Sequence, residues 1–561
     1  MTATIFGIMN TARLGLAAQQ SAIDVTGQNV ANASTVGYSR QEITFAPTPG
    51  QDIGNVILGT GVTLSAVQRA HDQFIFSQIT DEQSASSNTS VRKDVFGQLE
   101  TLFNQSTGQG LSSTLNSFFS SAQDLSTNPT GLAQRSAVVA AGSSLVLGLN
   151  QTSQSLFLSQ QSLDQGIQTE LTSINSLTSQ IADLNKNIHA TEADGKSAND
   201  LRDQRDILIK NLASEVDVNM MSEVNGEVSI TLKNGSPLVL ASSASTLQTK
   251  INGDNKAFKD VLIVDQSGKP TNITSVIQGG KLRGMLDMRD KEIPKIQDAL
   301  GRLAAGLVRE VNSIHQNGQG LDGVTGRNFF NDLKPIVSNA TTNTGNANVS
   351  IVNASPSTTS VDKYEFTFTG ANTVSLKNLT TGFASGTYSF TPGSTFNVAG
   401  GLAVTITGTA VVGDQTRFSL SENAAASISI DNQILADPSK IAAGLTTATD
   451  GGNAQNLAGL QNALDFNGTS ITSPGSGAYT FNDFYNTIAA NLGVASQTAH
   501  TTATEQTAVM TQLQNRQQSS DGVNLDEEMI NMIKFQQAYS ASARVLTTVA
   551  DMLTVLENVH T

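Results

Sequence analysis

The sequence predicts an α+β multidomain protein with long terminal coiled-coil helices, a central helical bundle and an inserted all-β domain. Three observations predict this. Apolar residues recur at every seventh position at both ends of the chain, and the same repeat governs an interior stretch near residues 160–190. Between about residues 334 and 436 the period falls to two and glycine-rich turns appear. At 561 residues the chain has length for three or four domains. The pattern divides it at 1–35, 36–333, 334–436, 437–520 and 521–561.

At the N-terminus Met9, Leu16, Ile23 and Val30 stand seven apart, with Ile5 and Ala12 in a second row, so residues 4–33 form one helix with an apolar seam. Asn29 and Asn32 end it, because their amides compete for backbone hydrogen bonds. Gly37 then permits a turn with positive φ, and Tyr38 places an amphipathic ring beside it. Gln41, Ile43 and Phe45 alternate as a strand closed by Pro47 and Pro49.

Inside the chain Ile167, Ile174, Ile181 and Ile188 form one row of a long helix and Leu163, Leu177 and Leu184 the other, with Glu170 interrupting. Asp194-Gly195 breaks it, and a further helix starts at Asn199 with NDLRDQRDILIKNLASEV. Val228, Ile230 and Leu232 alternate up to the hairpin signal Asn234-Gly235, and the strand VLIVD begins at Val261. A helix over 292–314 carries Pro294 in its first turn and Ile296, Leu300, Leu303, Leu307 and Val311 on one face.

Residues 335–361 hold no charge; Tyr364, Phe366 and Phe368 then alternate, with short strands around Val374, Tyr388, 404–406, 418–420 and 428–430. Residues 437–520 return to helix, with a Gly/Ser/Pro loop at 473–477. In the last helix Leu525, Met532, Tyr539, Leu546 and Leu553 repeat at seven, accompanied by Met529, Ala543 and Ala550, as far as about Val559. Asp521-Gly522 breaks the chain before it, Asn524 caps it, Glu527 stands where a capping box needs it, and Asp526 and Glu528 lie at the positive end of the helix dipole.

Composition excludes several functions. With a net charge of −15 and no Lys/Arg cluster, the chain lacks the basic face that phosphate neutralisation needs, so nucleic acid is not an expected partner. Zero Cys excludes disulfides, thiolate zinc sites and cysteine nucleophiles. Zero Trp and 5% aromatics leave cohesion to many small contacts. The longest uncharged apolar region, 137–149, is broken by Gly142-Ser143-Ser144 and is shorter than the roughly 20 residues a bilayer requires, so no membrane is expected. Arg13 is the first cation, and the N-terminus does not read as a cleaved secretory signal.

Gly318, Gly320 and Gly323 spell G-x-G-x-x-G after a helix rather than a strand, which is the wrong context for a dinucleotide. His71, His189, His315, His500 and His560 are scattered, without metal-ligand spacing. Asp203, Asp206, Asp287 and Asp290 accompany Arg202, Arg205, Arg289 and Lys291, a pattern of salt-bridged helix faces. No metal, cofactor or catalytic residue is expected.

The stretch 29–41 resembles the signature of bacterial flagellar axial proteins of the rod, hook and junction group, N-x-x-N-x-x-T-x-G-[FY]: Asn29, Asn32, Thr35, Gly37 and Tyr38 match. Ser39-Arg40-Gln41, NDLRDQRD from Asn199, GGKLRGMLDMRD from Gly279 and DGVNLDEEMINMIKFQQAYSASARVL from Asp521 resemble more narrowly the hook-associated family that joins hook to filament. The resemblance covers the outer and middle thirds and leaves the β insert without a counterpart.

It implies a non-enzymatic structural subunit in the extracellular flagellum, exported unfolded without a cleaved signal peptide. It further implies self-association into a ring on the hook tip. The implied neighbours are hook protein, a second junction protein and flagellin, with an export chaperone at the C-terminal helix. The terminal helices would pair antiparallel, and the assembly residues would be Met9, Leu16, Ile23, Asn29, Val30, Asn32, Gly37, Tyr38, Leu525, Met529, Met532, Tyr539, Leu546 and Leu553. Four seam side chains bury too little surface to order some 30 residues alone, so the ends are expected to stay marginal until neighbours cover them. A hook protein, or an adhesin using the β insert, are the other readings this sequence admits.

Overall fold

The computed structural model describes residues 2–53, 56–103, 110–223, 226–353, 359–467, 470–471 and 478–560. The loop expected at 473–477 lies outside them. The long helices of the first half are α1 (Thr2–Asn32), α2 (Gln73–Phe103), α3 (Leu111–Thr127), α4 (Leu132–Glu192) and α5 (Asn199–Glu215). Next come α6 (Gly280–Asp287) and α7 (Ile293–Asn317), and beyond the insert the short α8 (Ala424–Ser427), α9 (Asn432–Ala436) and α10 (Gly452–Gly459). The chain ends in α11 (Phe481–Asp521) and α12 (Leu525–His560).

The largest core joins α2, α3, the first half of α4, α7 and the start of α11. Instead of many small contacts, it gathers the phenylalanines. Phe118 lies 5.5 Å from Phe329, Phe329 meets Phe330 edge-on at 4.9 Å, and Phe466 stacks on Phe484 at 4.3 Å. Gly142-Ser143-Ser144, which interrupts the apolar run, does not interrupt the helix, and α4 continues through it for 61 residues. A Cβ on Gly142 would stand 3.1 Å from the Phe329 ring and 3.2 Å from Ile430, so the glycine is a close-packing position. By length and composition α4 could cross a membrane. Here one of its faces is packed, with Leu145, Leu149 and Leu156 buried in the core.

His315 is held in the same region: its Nδ1 pairs with the Arg327 carbonyl at 2.7 Å, and its Nε2 accepts from the Ala442 amide at 2.9 Å. Complete burial pushes its pKa down to about 4. The imidazole therefore clamps two loops as a neutral ring. The glycines of G-x-G-x-x-G form an ordinary turn in one of them, with the Gly320 amide donating to the Val324 carbonyl.

The second core packs the C-terminal half of α4, including Ile167, Ile174 and Ile181, on α5, α6 and two antiparallel sheets. One sheet pairs Asn219–Ser222, Val228–Thr231, Pro237–Leu240 and Ser243–Ala244, with Gly235 at φ 88° in the expected turn. The helix expected from residue 292 begins earlier, because α6 passes through a π-helical turn, Met288–Glu292, into α7. Pro294 lacks an amide donor, and the widened turn just before it absorbs that loss.

Glu170, the residue that interrupts the apolar row, meets Glu215 of α5, whose carboxylate also accepts from Lys281 Nζ at 3.0 Å. Burial and the Glu215 carboxylate push the Glu170 pKa up to about 7, partly offset by Lys281. A raised carboxyl pKa contributes stability that is complete below the unfolded value and is lost as pH rises through the folded one. Thermal melting is therefore expected to fall between about pH 5 and 8 by an amount on the order of 1–2 kcal/mol, allowing for solvent screening. Glu170→Gln should flatten that slope, and an unchanged pH profile in the variant would refute the raised Glu170 pKa as its source.

The third core fills a β-sandwich. Its five-stranded sheet runs in the order Ile336–Asn339, Gln415–Ser419, Lys363–Gly370, Thr373–Asn378 and Ala384–Ser389. Asn348–Asn353, Leu402–Thr407 and Thr395–Val398 form the second sheet. Phe366, Phe368, Val374, Val404 and Ile406 meet between them.

The strand expected at 428–430 is not part of this sandwich. It is the link between α8 and α9, where only an isolated bridge joins Ile430 to Phe330, and Ile428, Ile430 and Ile434 belong to the first core. Residues 437–520 return to helix in α10 and α11, with a 3-10 turn, Leu460–Asn462, and the short strands Phe466–Asn467 and Ser470–Ile471 between them. Ile336 pairs with Ser419, so the two crossings of the sandwich lie side by side. Replacing residues 336–419 by a short Gly/Ser linker should keep the cooperative helical melting transition, whereas removal as far as residue 435 should abolish it. Calorimetry of the two variants separates the boundaries.

Candidate functional site: the terminal helix pair and its root

The helices α1 and α12 lie antiparallel along their length: Asn29 meets Glu528 at one end, and Gly15 faces Ser542 further along. The face of α1 turned inward is not the expected row of large residues. Ala12, Ala18, Ala22, Thr26 and Asn29 are buried, while Met9, Leu16, Ile23 and Val30 flank them half-buried. Small side chains let two helix backbones approach closely; a Cβ on Gly15 would already stand 3.2 Å from Ser542 Oγ.

On α12, Met532, Leu546 and Leu553 are half-buried and Val549 is buried. Met529 is 59% exposed and points outward with Ile530, Ile533, Met552 and Val555, whereas Leu525 and Tyr539, 50% and 39% exposed, stay partly open on the heptad row of Met532, Leu546 and Leu553. The helix thus carries two apolar rows, one covered by α1 and one open.

The pair is rooted through Asn29. Its Nδ2 donates to the Gln41 carbonyl at 2.9 Å and to Glu528 Oε2 at 3.1 Å, while its Oδ1 accepts from the Gln41 amide and from Tyr38 Oη, each at 2.9 Å. One buried amide therefore holds helix, turn, strand and C-terminal helix together. Burial, then Asp200, Asp203 and Glu528, push the Tyr38 pKa up to about 12, so its hydroxyl keeps the proton it donates.

Asn32 Nδ2 donates back to the Gln28 carbonyl at 3.1 Å, and its Oδ1 accepts from Thr35 Oγ1 at 3.2 Å. Gly37 sits at φ 82°, where a Cβ would fall 2.4 Å from Ile207 Cδ1, so both conformation and space require glycine.

The root is tied to the body by charges that local sequence did not pair. Asp203 accepts from the Ser39 amide at 3.0 Å, from Ser39 Oγ at 2.8 Å and from Arg69 at 2.9 Å; Asp206 takes Arg69 at 2.6 Å. The neighbouring arginines expected to serve these aspartates turn elsewhere, Arg202 to Glu192 and Arg205 to Asn185 and the Gly226 carbonyl. Burial disfavours the Arg69 cation, but Asp206 and Asp203 outweigh it and hold its pKa above the ordinary value.

Asp521 closes the other side. Its carbonyl accepts from the Arg40 amide at 2.9 Å, and its carboxylate accepts from the Asp72 amide at 3.1 Å. The capping box expected at α12 does not close: Asn524 accepts from the Asp526 amide, but Glu527 reaches Arg40 Nη1 at 3.2 Å. Between the 33–39 turn, α5 and the end of α11 lies a polar cleft of about 600 Å³, with His71 on its wall. Burial and Arg69 lower the His71 pKa, against Asp206, Asp521 and Asp203. Among the described residues no group of three or more His, Asp or Glu could hold a metal ion.

Two ends of one chain closed into a rooted antiparallel pair, on a bundle of separate cores, define a flagellar axial structural protein. The family models agree by segment: "Flagella basal body rod protein" matches residues 9–38, "Flagellar basal body rod FlgEFG protein C-terminal" residues 517–559, and "Flagellar hook-associated protein FlgK helical domain" residues 96–330. The chain belongs to the flagellar hook-associated protein 1 family. It is 31% identical to that protein of Escherichia coli over 99% of this chain and 100% of the relative. It is 27% identical to the one of Bacillus subtilis over 99% of this chain and 98% of the relative. The flagellar hook junction protein FlgK from Burkholderia pseudomallei shares the fold, with a TM-score of 0.68 and 20% identity over 79% of this chain and 99% of that one. The protein is a structural component of the bacterial flagellum and not an enzyme.

Proposed function

We propose that this chain, a structural subunit of the hook-filament junction, assembles as a ring on the hook tip through its rooted terminal helix pair. The observation that carries the ring is the second, open apolar row of α12. A row of that length left facing water marks a surface awaiting a partner. Neighbouring copies would cover Leu525, Met529 and Tyr539, while Met9, Leu16, Ile23, Val30, Met532, Leu546 and Leu553 complete the pair they dock on.

Asn29, Asn32, Gly37 and Tyr38 set the angle at which the pair leaves the body. Hook protein would lie below the ring, and a second junction protein followed by flagellin above it. Before export, which this reading places without cleavage of a signal peptide, a chaperone at the C-terminal helix would shield the open row.

Imaging a tagged chain tests the proposal. It should form one band at the hook-filament boundary and cross-link to itself there through cysteines placed at Met529 and Ile533. A band without self-cross-links would refute the ring, and label spread along hook or filament would refute the position.

A further inference from the structure

A ring of identical copies also needs lateral contacts away from the terminal helices. In a chain of net charge −15 such contacts must avoid bringing carboxylates together. Two helix faces on the bundle meet that condition. Residues 136–163 of α4 contain no Asp, Glu, Lys or Arg, and Ala140, Ser144, Leu147 and Leu158 are exposed along them, Leu147 by 57% and Leu158 by 51%. Residues 484–504 of α11 also lack these charges, with His500 their one titratable imidazole, and Thr487, Val494 and Thr501 are exposed, Val494 by 66%.

The two faces look out from different flanks, because α3 and α7 each pack against both helices while α4 and α11 scarcely touch, which sets the two at opposite corners of the bundle. They also run in the same direction. On α2, Ile75 and Ile79 pack with Met510 and Leu513, while Phe103 stacks on Tyr485 at 6.2 Å, so α11 runs against α2. Phe76 shares a core with Ile167 and Ile174, and Phe96 and Phe103 share one with Leu145 and Leu156, so α4 runs against α2 as well.

Resting on the ring reading, we propose that the α4 face of one copy docks on the α11 face of the next, a heterologous contact that closes on rotation. Two different faces on one chain allow this head-to-tail pairing, and their shared direction lets copies in one ring align without inversion. α3 sets their level: a Cβ on Gly148 would lie 3.4 Å from Leu111 and Ser112 Oγ donates to Asn482 at 2.6 Å, so Leu158 and Val494, some three turns further along each helix, stand at about the same height. The α11 face, the shorter of the two, is about 30 Å long, and the strip the two share is about 10 Å wide. Together they bury roughly 600 Å², below the roughly 1,200 Å² of a stable complex. The contact is therefore too small to dimerise the free chain and acts only once the terminal helices hold copies side by side.

The chain has no cysteine, so paired substitutions read this contact without background. Cells assembling the full-length Leu158→Cys/Val494→Cys variant on their hooks should, on mild oxidation, yield a reducible ladder that extends beyond dimer. Either single variant should not. A variant that reaches the hook tip and cross-links through the terminal helices but gives no ladder would overturn the proposal while leaving the ring intact. Equally efficient dimers from Leu158→Cys alone would also overturn it, by showing α4 against α4. Failure of the wild-type chain to self-cross-link through α12 would refute the ring reading instead.

Charge reversal provides a second measure independent of oxidation. Leu158→Lys should lower incorporation by about tenfold, and adding Val494→Glu should restore most of it. Absence of that rescue, with normal monomer melting, would count against the pairing.

Discussion

Asn29→Ala is expected to release the terminal helix pair from the body while leaving the body folded. The substitution removes four hydrogen bonds at once. The Gln41 backbone, the Tyr38 hydroxyl and the Glu528 carboxylate are then left without their partner, in a place where Asn29 is 1% exposed and Glu528 3%. At about 1–3 kcal/mol for each polar group buried without a partner, the three together cost about 3–9 kcal/mol. It falls on the attachment alone, since none of the three large cores draws a residue from α1 or α12.

Limited proteolysis should therefore cut the variant rapidly near residues 33–40 and 521–525, and hydrogen exchange should rise in both segments. The main melting transition should stay near wild type. Asn29→Asp should be at least as damaging at neutral pH, because it sets a second carboxylate against Glu528. A proteolytic pattern like that of the wild type in both variants would show that the root is held by something other than this amide.

What the sequence showed of this site, and what it hid, follows from how far each interaction reaches. Gly37 and Asn32 were legible because their work is local: a positive φ and a bond back to the Gln28 carbonyl. The partners of Asn29 were not, for Glu528 stands 499 positions away and no short pattern joins them. Asp203 and Asp206 misled for the same reason, since the arginines beside them in sequence point elsewhere and Arg69 arrives from the end of the strand Val62–Arg69, 134 positions from Asp203. The seam of α1 was missed by a different route. A heptad of large apolar residues draws attention to Leu16 and Ile23, whereas close helix pairing selects the small residues between them, Ala18 and Ala22. The role of Gly142 was hidden as well, because the Phe329 ring that fills the space over it comes from elsewhere in the chain.

The two apolar rows of α12 separate pairing from assembly, and a matched set of variants is expected to show it. Leu546→Asp with Leu553→Asp places carboxylates on the half-buried row that α1 covers. Each should cost several kcal/mol against that surface, enough to unpair the helices. That double variant should lose helical content at both ends, keep near-wild-type melting of the body, and fail to join the hook. Ile533→Asp with Met552→Asp alters the open row, where the side chains are 52% and 54% exposed and the carboxylates remain in water in the free chain. Its terminal helices should stay paired and protected from protease, yet incorporation at the hook tip should fall as severely as in the first variant. Filament subunits would then be lost to the medium in both cases, for different reasons. Normal filaments on cells making only the open-row variant would show that this row does not face a neighbour, and collapse of the body's melting transition in the covered-row variant would show that α12 supports the core.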